Sequence, residues 1–378
     1  MKKIRKLKRQ KHSKKIGMAP GSLVYVGSQE YAQPNFEPII TLMEYQSDRL
    51  NERTLSLEEL SNLDLDKYFQ THQKVWLNVH GVHVPDFIEK IGNIFHLHPL
   101  VLEDILTTHQ RPKLDLFGHY LFLEARSFEF NVQALSMDSE QISLVLGQHF
   151  LLTFQERSTG IFEPVRTRLR AGQSQVREQG VDYLAYALLD CIVDRYFNVL
   201  EQVNDVSEAL EENMLNKTAR VELHQIHQLK HLSVELRRAV WPLREVLNSL
   251  VRNELGFFKP STLPYLRDVY DHTMSYIESL ESIRDALAAM MDIYMANVSQ
   301  RVNLELRALT VVTMLFMPAT LITGIFGMNF EYMPFLKDHD GFWWALGLMA
   351  TIAAIMLLIF WRRQWVNRKI FSVDNSEN

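Results

Sequence analysis

The chain has 378 residues, a single cysteine, and 40 Lys or Arg against 45 Asp or Glu. The lone Cys191 excludes an intrachain disulfide and fits a reducing compartment. Nine basic residues lie within residues 1–15; without them 31 basic residues stand against 45 acidic ones, a body that disfavours nucleic acid and attracts cations.

Residues 1–16 read as a basic, disordered tail that either solvates or meets anionic lipid heads. No apolar stretch follows it, so it does not fit a secretory signal. Residues 17–178 read as a cytoplasmic α/β domain. Leu23-Val24-Tyr25-Val26, Val75 to Val79 and Tyr120 to Leu123 are strand-like runs of β-branched and aromatic residues. Ile142 to Leu146 and Phe150 to Phe154 flank Gly147-Gln148-His149, a hairpin turn. Pro85 opens one helix, and Pro99 opens another that carries Glu103 and Asp104.

Residues 179–306 read as a stalk of long helices. The apolar period is helical from Val181 to about Leu215, and again from Ala219 to Asn253 with Pro242 as a kink. Gly256 and Pro260 end that helix, and Ser261-Thr262 cap the next. From Pro264 to Gly327 the pattern is that of one rod, ~96 Å long if unbroken. Asp271, Glu278, Asp285 and Asp292 recur along it every seven residues, with Asp268 and Glu281 beside them. The stripe is either a solvated coil face or the acidic lining of a cation vestibule.

Two apolar segments close the chain, at residues 307–329 and 342–361, joined by the loop 330–341 and followed by a basic tail, 362–378. No charge occurs between Arg307 and Glu331, or between Asp340 and Arg362. Each segment is long enough for a ~30 Å hydrocarbon core. Arg301 and Arg307 precede the first; Arg362, Arg363, Arg368 and Lys369 follow the second. Basic flanks stay inside, so both termini are expected in the cytoplasm and the loop outside. Trp343, Trp344, Trp361 and Trp365 bracket the second span as interfacial anchors. Two spans cannot enclose a polar path, so a pore requires several copies, with one helix of each lining it. The alternative is a kinked hairpin anchor that conducts nothing.

Gly327-Met328-Asn329, continued by Phe330-Glu331-Tyr332-Met333-Pro334, resembles the hallmark loop of CorA-type magnesium transporters, the Gly-Met-Asn family of divalent metal ion channels. The likeness extends to Phe316-Met317-Pro318, to Thr323 through Phe326, to His98 through Leu106, to His109 through Lys113, to Trp241 through Glu245, and to Arg267 through His272. It covers about residues 20–370.

The resemblance implies an α+β cytoplasmic domain followed by long α-helices and a C-terminal two-helix transmembrane hairpin, assembled as a funnel-shaped homopentamer in the bilayer of the inner or plasma membrane. It implies passive Mg²⁺ influx, in many members with Co²⁺ or Ni²⁺, and no nucleotide. The first span would line the pore through Asn303, Leu309, Met317, Thr320, Gly324, Gly327, Met328 and Asn329. Leu309 and Met317 match an apolar constriction, and Asn329 the Asn ring of the outer mouth. Asp104 and Asp268 match carboxylates that bind regulatory Mg²⁺ between subunits; Glu103 and Asp190 match a second metal site. Mg²⁺ dehydrates reluctantly, so neutral carboxamides that accept hydrogen bonds from its water shell suit such a mouth. Gly327 would let the chain turn sharply out of the helix.

A zinc-transporting relative of the same architecture and a membrane-anchored sensor that conducts nothing are the alternatives. An enzyme is not expected. Seven His lie between His72 and His119, yet no His-Glu-x-x-His occurs and no Cys pair exists for structural zinc. The phosphate-cradling Gly-Lys-Ser/Thr loop is missing too, so ATP-driven transport has no support.

Overall fold

A computed structural model describes residues 17–27, 37–62, 73–172, 175–215, 223–254, 256–328 and 339–363. The basic tail, Asn329, the loop from Phe330 to Asp338, Trp365, Arg368 and Lys369 lie outside the described residues. An α+β domain, long helices and two C-terminal apolar helices make up the chain. Two compact units divide between Met290 and Met291.

The first unit is built on a seven-stranded sheet. Its strands are β1 (Ile39–Tyr45), β2 (Leu50–Leu55), β3 (Lys74–His80), β4 (Lys113–Phe117), β5 (Tyr120–Asn131), β6 (Ser136–Leu146) and β7 (Phe150–Gln155). They lie in the order β2-β1-β3-β7-β6-β5-β4, and only β3 and β7 pair in parallel. These two are also the strands covered on both faces, which is why each reads as an unbroken buried run. The hairpin at Gly147 joins β6 to β7 as its sequence predicts.

One face of the sheet packs Leu42, Leu77, Val79, Leu152 and Phe122 against α2 (Pro85–Ile94) and α3 (Pro99–Ile105), which follow the short α1 (Leu57–Ser61). Burying each such side chain contributes roughly 1.5–3 kcal/mol. Helices α2 and α3 meet at Gly92, where a Cβ would stand 2.5 Å from Cδ1 of Leu102. Trp76 points the other way, donates its Nε1–H to Thr153 Oγ1 at 3.0 Å and meets Phe162 edge-on, just ahead of α4 (Glu163–Arg170). After α5 (Gln175–Glu178), α6 (Val181–Leu215) packs along β5, with the Tyr196 ring 5.5 Å from Phe128.

The Leu23–Val26 run is not a strand. Only Val26 bridges, to Thr107, while Leu23 and Tyr25 pack their side chains on the core. Strands β1, β2 and β4 are absent from the sequence reading. Strands β2 and β4 are the two sheet edges, where charged residues interrupt the alternation that marks a strand.

Helix α7 (Leu223–Arg252) passes through Pro242 without ending. Helix α8 (Leu263–Phe326) is a single helix of 64 residues, as the rod predicts. Its buried residues Leu266, Val269, Thr273, Tyr276, Leu280, Ile283, Leu287 and Met290 repeat in sevens as a coiled-coil seam. The seam meets α6 through ring contacts of Tyr183 and Tyr186 with Tyr265, and of Tyr196 with Tyr276. Asp271, Glu278, Asp285 and Asp292 occupy the heptad position farthest from it and are exposed. At the start of α8 the Thr262 carbonyl accepts from Tyr265 N and Leu266 N, while its hydroxyl donates to Asp182 Oδ2 at 2.6 Å. Residue 262 thus fastens α8 to the first turn of α6 as well as opening the helix. Helix α9 (Gly341–Arg362) is the last described element.

Glu140 on β6 is buried, and its Oε1 accepts from Arg157 N at 2.9 Å. Burial, opposed by that hydrogen bond and reinforced by Glu156, pushes its carboxyl up to about 7. The folded state therefore holds this proton more tightly than the unfolded one. Its contribution is complete below the ordinary carboxylate range and is lost as pH rises through about 7. Glu140→Gln cannot titrate, so between pH 5 and 8 it should lose less stability than the parent, by on the order of 2 kcal/mol. Thermal unfolding of the full chain in detergent at both pH values measures this; identical pH slopes would contradict it.

Candidate functional site

Two groups of residues are the candidates. The first lies on the apolar half of α8. Helices α8 and α9 are both long and apolar enough to cross a membrane, and their apolar windows are wholly uncovered within one chain. Leu309, Met317, Thr320 and Gly324 are exposed and fall within an arc of about 80° on α8. Leu309 and Met317 are each 64% exposed. Asn303, also exposed, lies about 40° beyond that arc. An open groove of about 660 Å³ runs along this face, lined by Thr313, Phe316, Met317, Thr320, Leu321, Gly324, Ile325 and Met328.

Thr313 belongs to the same line and was not singled out from the sequence. The signal was there: it stands four residues from Leu309 and four from Met317. Its hydroxyl donates to the Leu309 carbonyl at 2.9 Å, and that of Thr320 to the Phe316 carbonyl at 2.9 Å. With its hydrogen spent on the backbone, each oxygen keeps lone pairs for an outside donor. Such a group suits the water shell of a hydrated cation.

Gly327 follows the last residue of α8, and its N–H donates to the Thr323 carbonyl at 2.9 Å. The chain leaves α8 here, and the φ of Gly327 is not among the positive ones, so it does so without a left-handed residue at this position. A Cβ there would stand 3.0 Å from the Thr323 carbonyl oxygen, so close approach to the backbone distinguishes this glycine. Gly324 faces open space.

The second group is the carboxylates. Asp104, near the end of α3, accepts from Lys113 Nζ at 2.5 Å through Oδ2 and from Gln110 Nε2 through Oδ1. Burial works against the Lys113 ammonium. The Asp104 hydrogen bond and the charges of Glu124, Asp104 and Asp115 outweigh it and hold Lys113 above the ordinary lysine range. Buried Glu124 is pushed up to about 8, by burial first and by Asp104 and Asp115 in addition, against the opposing charge of Lys113. Glu103 Oε2 accepts from Gly21 N at 2.6 Å.

Asp190 on α6 and Asp268 on α8 come near each other within one chain. Burial, then the charge of Asp194, with Asp268 adding and Arg168 and His272 opposing, pushes Asp190 up to about 6. Asp268 is exposed, with His272 Nε2 3.9 Å away. Among the described residues, no three or more His, Cys, Asp or Glu side chains gather as a metal site. Of the clustered His, His72 lies outside the described residues, and His80 and His98 have structural places. His80 is buried, and burial, with Arg166 adding, lowers it to about 4. His98 caps α3 through Nδ1, which accepts from Leu100 N at 3.2 Å.

The family described as CorA-like Mg²⁺ transporter protein matches residues 71–363. The cobalt/magnesium transport protein CorA of Thermotoga maritima is 39% identical over 355 residues, 94% of this chain and 98% of the relative. The putative metal ion transporter YfjQ of Bacillus subtilis is 31% identical over 77% of this chain and 90% of its own length. The solved CorA magnesium transporter of Methanocaldococcus jannaschii superposes with a TM-score of 0.73 at 22% identity, over 86% of this chain and 98% of that one, a likeness of fold. Two helices fit to span a bilayer and relatives of this length together define a membrane protein, and the chain belongs to the CorA-like Mg²⁺ transporter family.

Proposed function

We propose that the chain is a homopentameric channel for passive influx of Mg²⁺, with Co²⁺ and Ni²⁺ as further cargo. It sits in the inner or plasma membrane with both termini in the cytoplasm. The observation that carries this reading is the uncovered line Leu309, Thr313, Met317, Thr320 and Gly324 on one face of α8. A membrane helix facing only lipid has no use for two threonine hydroxyls and a glycine gathered on one face. A water-filled axis shared by several copies does. The name of the Thermotoga relative supports Mg²⁺ and Co²⁺ as the cargo. Arg301, Arg307, Arg362 and Arg363 support cytoplasmic termini. An inside-negative potential drives a divalent ion inward by ~4.6 kcal/mol per 100 mV, without ATP.

In this reading Leu309 and Met317 exclude water from the narrow part of the path, Thr313 and Thr320 accept from hydrated ions, and Asn329 takes the outer mouth. Asp104 and Asp268 of neighbouring subunits would hold a regulatory Mg²⁺, with Glu103 and Asp190 as a second pair. Two carboxylates per ion suit Mg²⁺, which keeps most of its waters. When bound, the ion would bridge the two carboxylates across the interface. Without it that bridge is missing, and the interface loosens. High cytoplasmic Mg²⁺ therefore favours the closed state, a feedback set by differential binding to two states.

The test is ion uptake by the purified protein in liposomes under an inside-negative potential, with Mg²⁺, Co²⁺, Ni²⁺ and Zn²⁺ compared. Potential-driven Mg²⁺ uptake is expected. Selective Zn²⁺ uptake would replace the cargo, and no uptake of any ion would overturn the channel.

A further inference from the structure

We infer that Lys113 is a tethered cation that occupies Asp104 and sets how much divalent ion is needed to reach it; this rests on the regulatory reading of Asp104 above. Asp104 lies near the end of α3, and Lys113 opens β4 nine residues later. The intervening chain folds back so that both carboxylate oxygens meet donors of their own chain, Oδ2 the Lys113 ammonium at 2.5 Å and Oδ1 the Gln110 carboxamide.

This is a partly enclosed pair rather than a solvated one. The Asp104 side chain is 18% exposed and that of Lys113 31%. It is also held from behind. Gln141 Oε1 accepts from Gln110 N at 3.1 Å, while Gln141 Nε2 donates to the Asp104 carbonyl at 3.1 Å and to Glu124 Oε1 at 3.1 Å. The carboxylate is thus built in place with a cation already on it.

Lys113 also has a second berth. Asp115, two residues along β4, has Oδ2 3.3 Å from the same ammonium. The Phe122 ring lies 5.5 Å below it. An ammonium driven off Asp104 therefore keeps a carboxylate partner and a π-face. A hydrated divalent ion competes with a single charge for Asp104, and the displaced charge is not stranded. The arrangement allows exchange where a fully buried ion pair with one partner would resist it. It places the threshold for regulatory binding above what the bare carboxylates alone would set.

The full-length protein in detergent tests this by limited proteolysis across a Mg²⁺ titration, with uptake in liposomes as a second readout. Lys113→Met should lower the Mg²⁺ concentration that protects the chain by about tenfold. Lys113→Arg, which keeps the charge, should leave it near the parent's value. Asp115→Asn, which removes the second berth, should raise it. Asp104→Asn separates the two readings. If it raises the protective concentration while Lys113→Met does not lower it, the tethered cation is wrong and the regulatory role of Asp104 stands. If Asp104→Asn moves nothing, the regulatory role and this inference fall together.

Discussion

Met317→Ser raises Mg²⁺ flux about tenfold at low cytoplasmic Mg²⁺, the rate change that follows from lowering a dewetting barrier by about 1.4 kcal/mol. The reason lies in what surrounds Met317. It is 64% exposed within its own chain, on the line shared with Leu309 and Thr320. In a pentamer five such thioethers would ring the axis, and an apolar ring of that kind sheds water. Serine is smaller and holds water, so the ring widens and wets together. Thr313→Val should act in the opposite direction. It removes the hydroxyl oxygen between Leu309 and Met317 while keeping the shape, and makes the apolar stretch continuous. Flux should fall several-fold, the loss of about one hydrogen bond to an ion's water shell. Stopped-flow uptake into liposomes reads both. Parental rates in both variants would place the constriction elsewhere.

Asp268→Ala weakens inhibition by cytoplasmic Mg²⁺, raising the half-inhibitory concentration by about tenfold, within the usual range of coupling between a regulatory ion and a gate. The substitution is a clean one. The side chain is 65% exposed, and its ion-pair partner, His272, stands 3.9 Å away. A surface pair of that kind contributes little to stability, so the variant should fold as the parent does. Maximum flux at low Mg²⁺ should stay unchanged while the inhibition curve moves, and that split marks a regulatory residue rather than a conducting one. An inhibition curve that coincides with the parent's across the titration would remove Asp268 from the gate.

The long helices were legible because their signal is local. The Val181–Leu215 helix is found over the range its apolar period predicts, and the 64-residue helix ends where the reading places it, one residue aside. Strands β3 and β7 were legible for a related reason. Both their faces are buried, so their composition is apolar without interruption. The edge strand β2 offers Asn51, Glu52 and Arg53 in succession, and no local pattern separates that from a loop. It is a strand because β1 pairs with it. Leu23 to Val26 failed in the converse way, with strand composition but only one bridging residue.

The chain's own order of residues was enough to determine two uncharged stretches of bilayer length, the repeat of carboxylates on the rod, and the motifs that mark its family. Each depends on spacing along a helix or on residue identity, and neither needs a folded neighbour. Folding in three dimensions decided what those residues touch. It brought Lys113 back onto Asp104, set Asp190 within electrostatic reach of Asp268, and left Gly327 outside the left-handed region. Contacts between residues far apart in the chain, and torsions at a helix end, are fixed by packing and hydrogen-bond satisfaction, which residue order alone does not reveal.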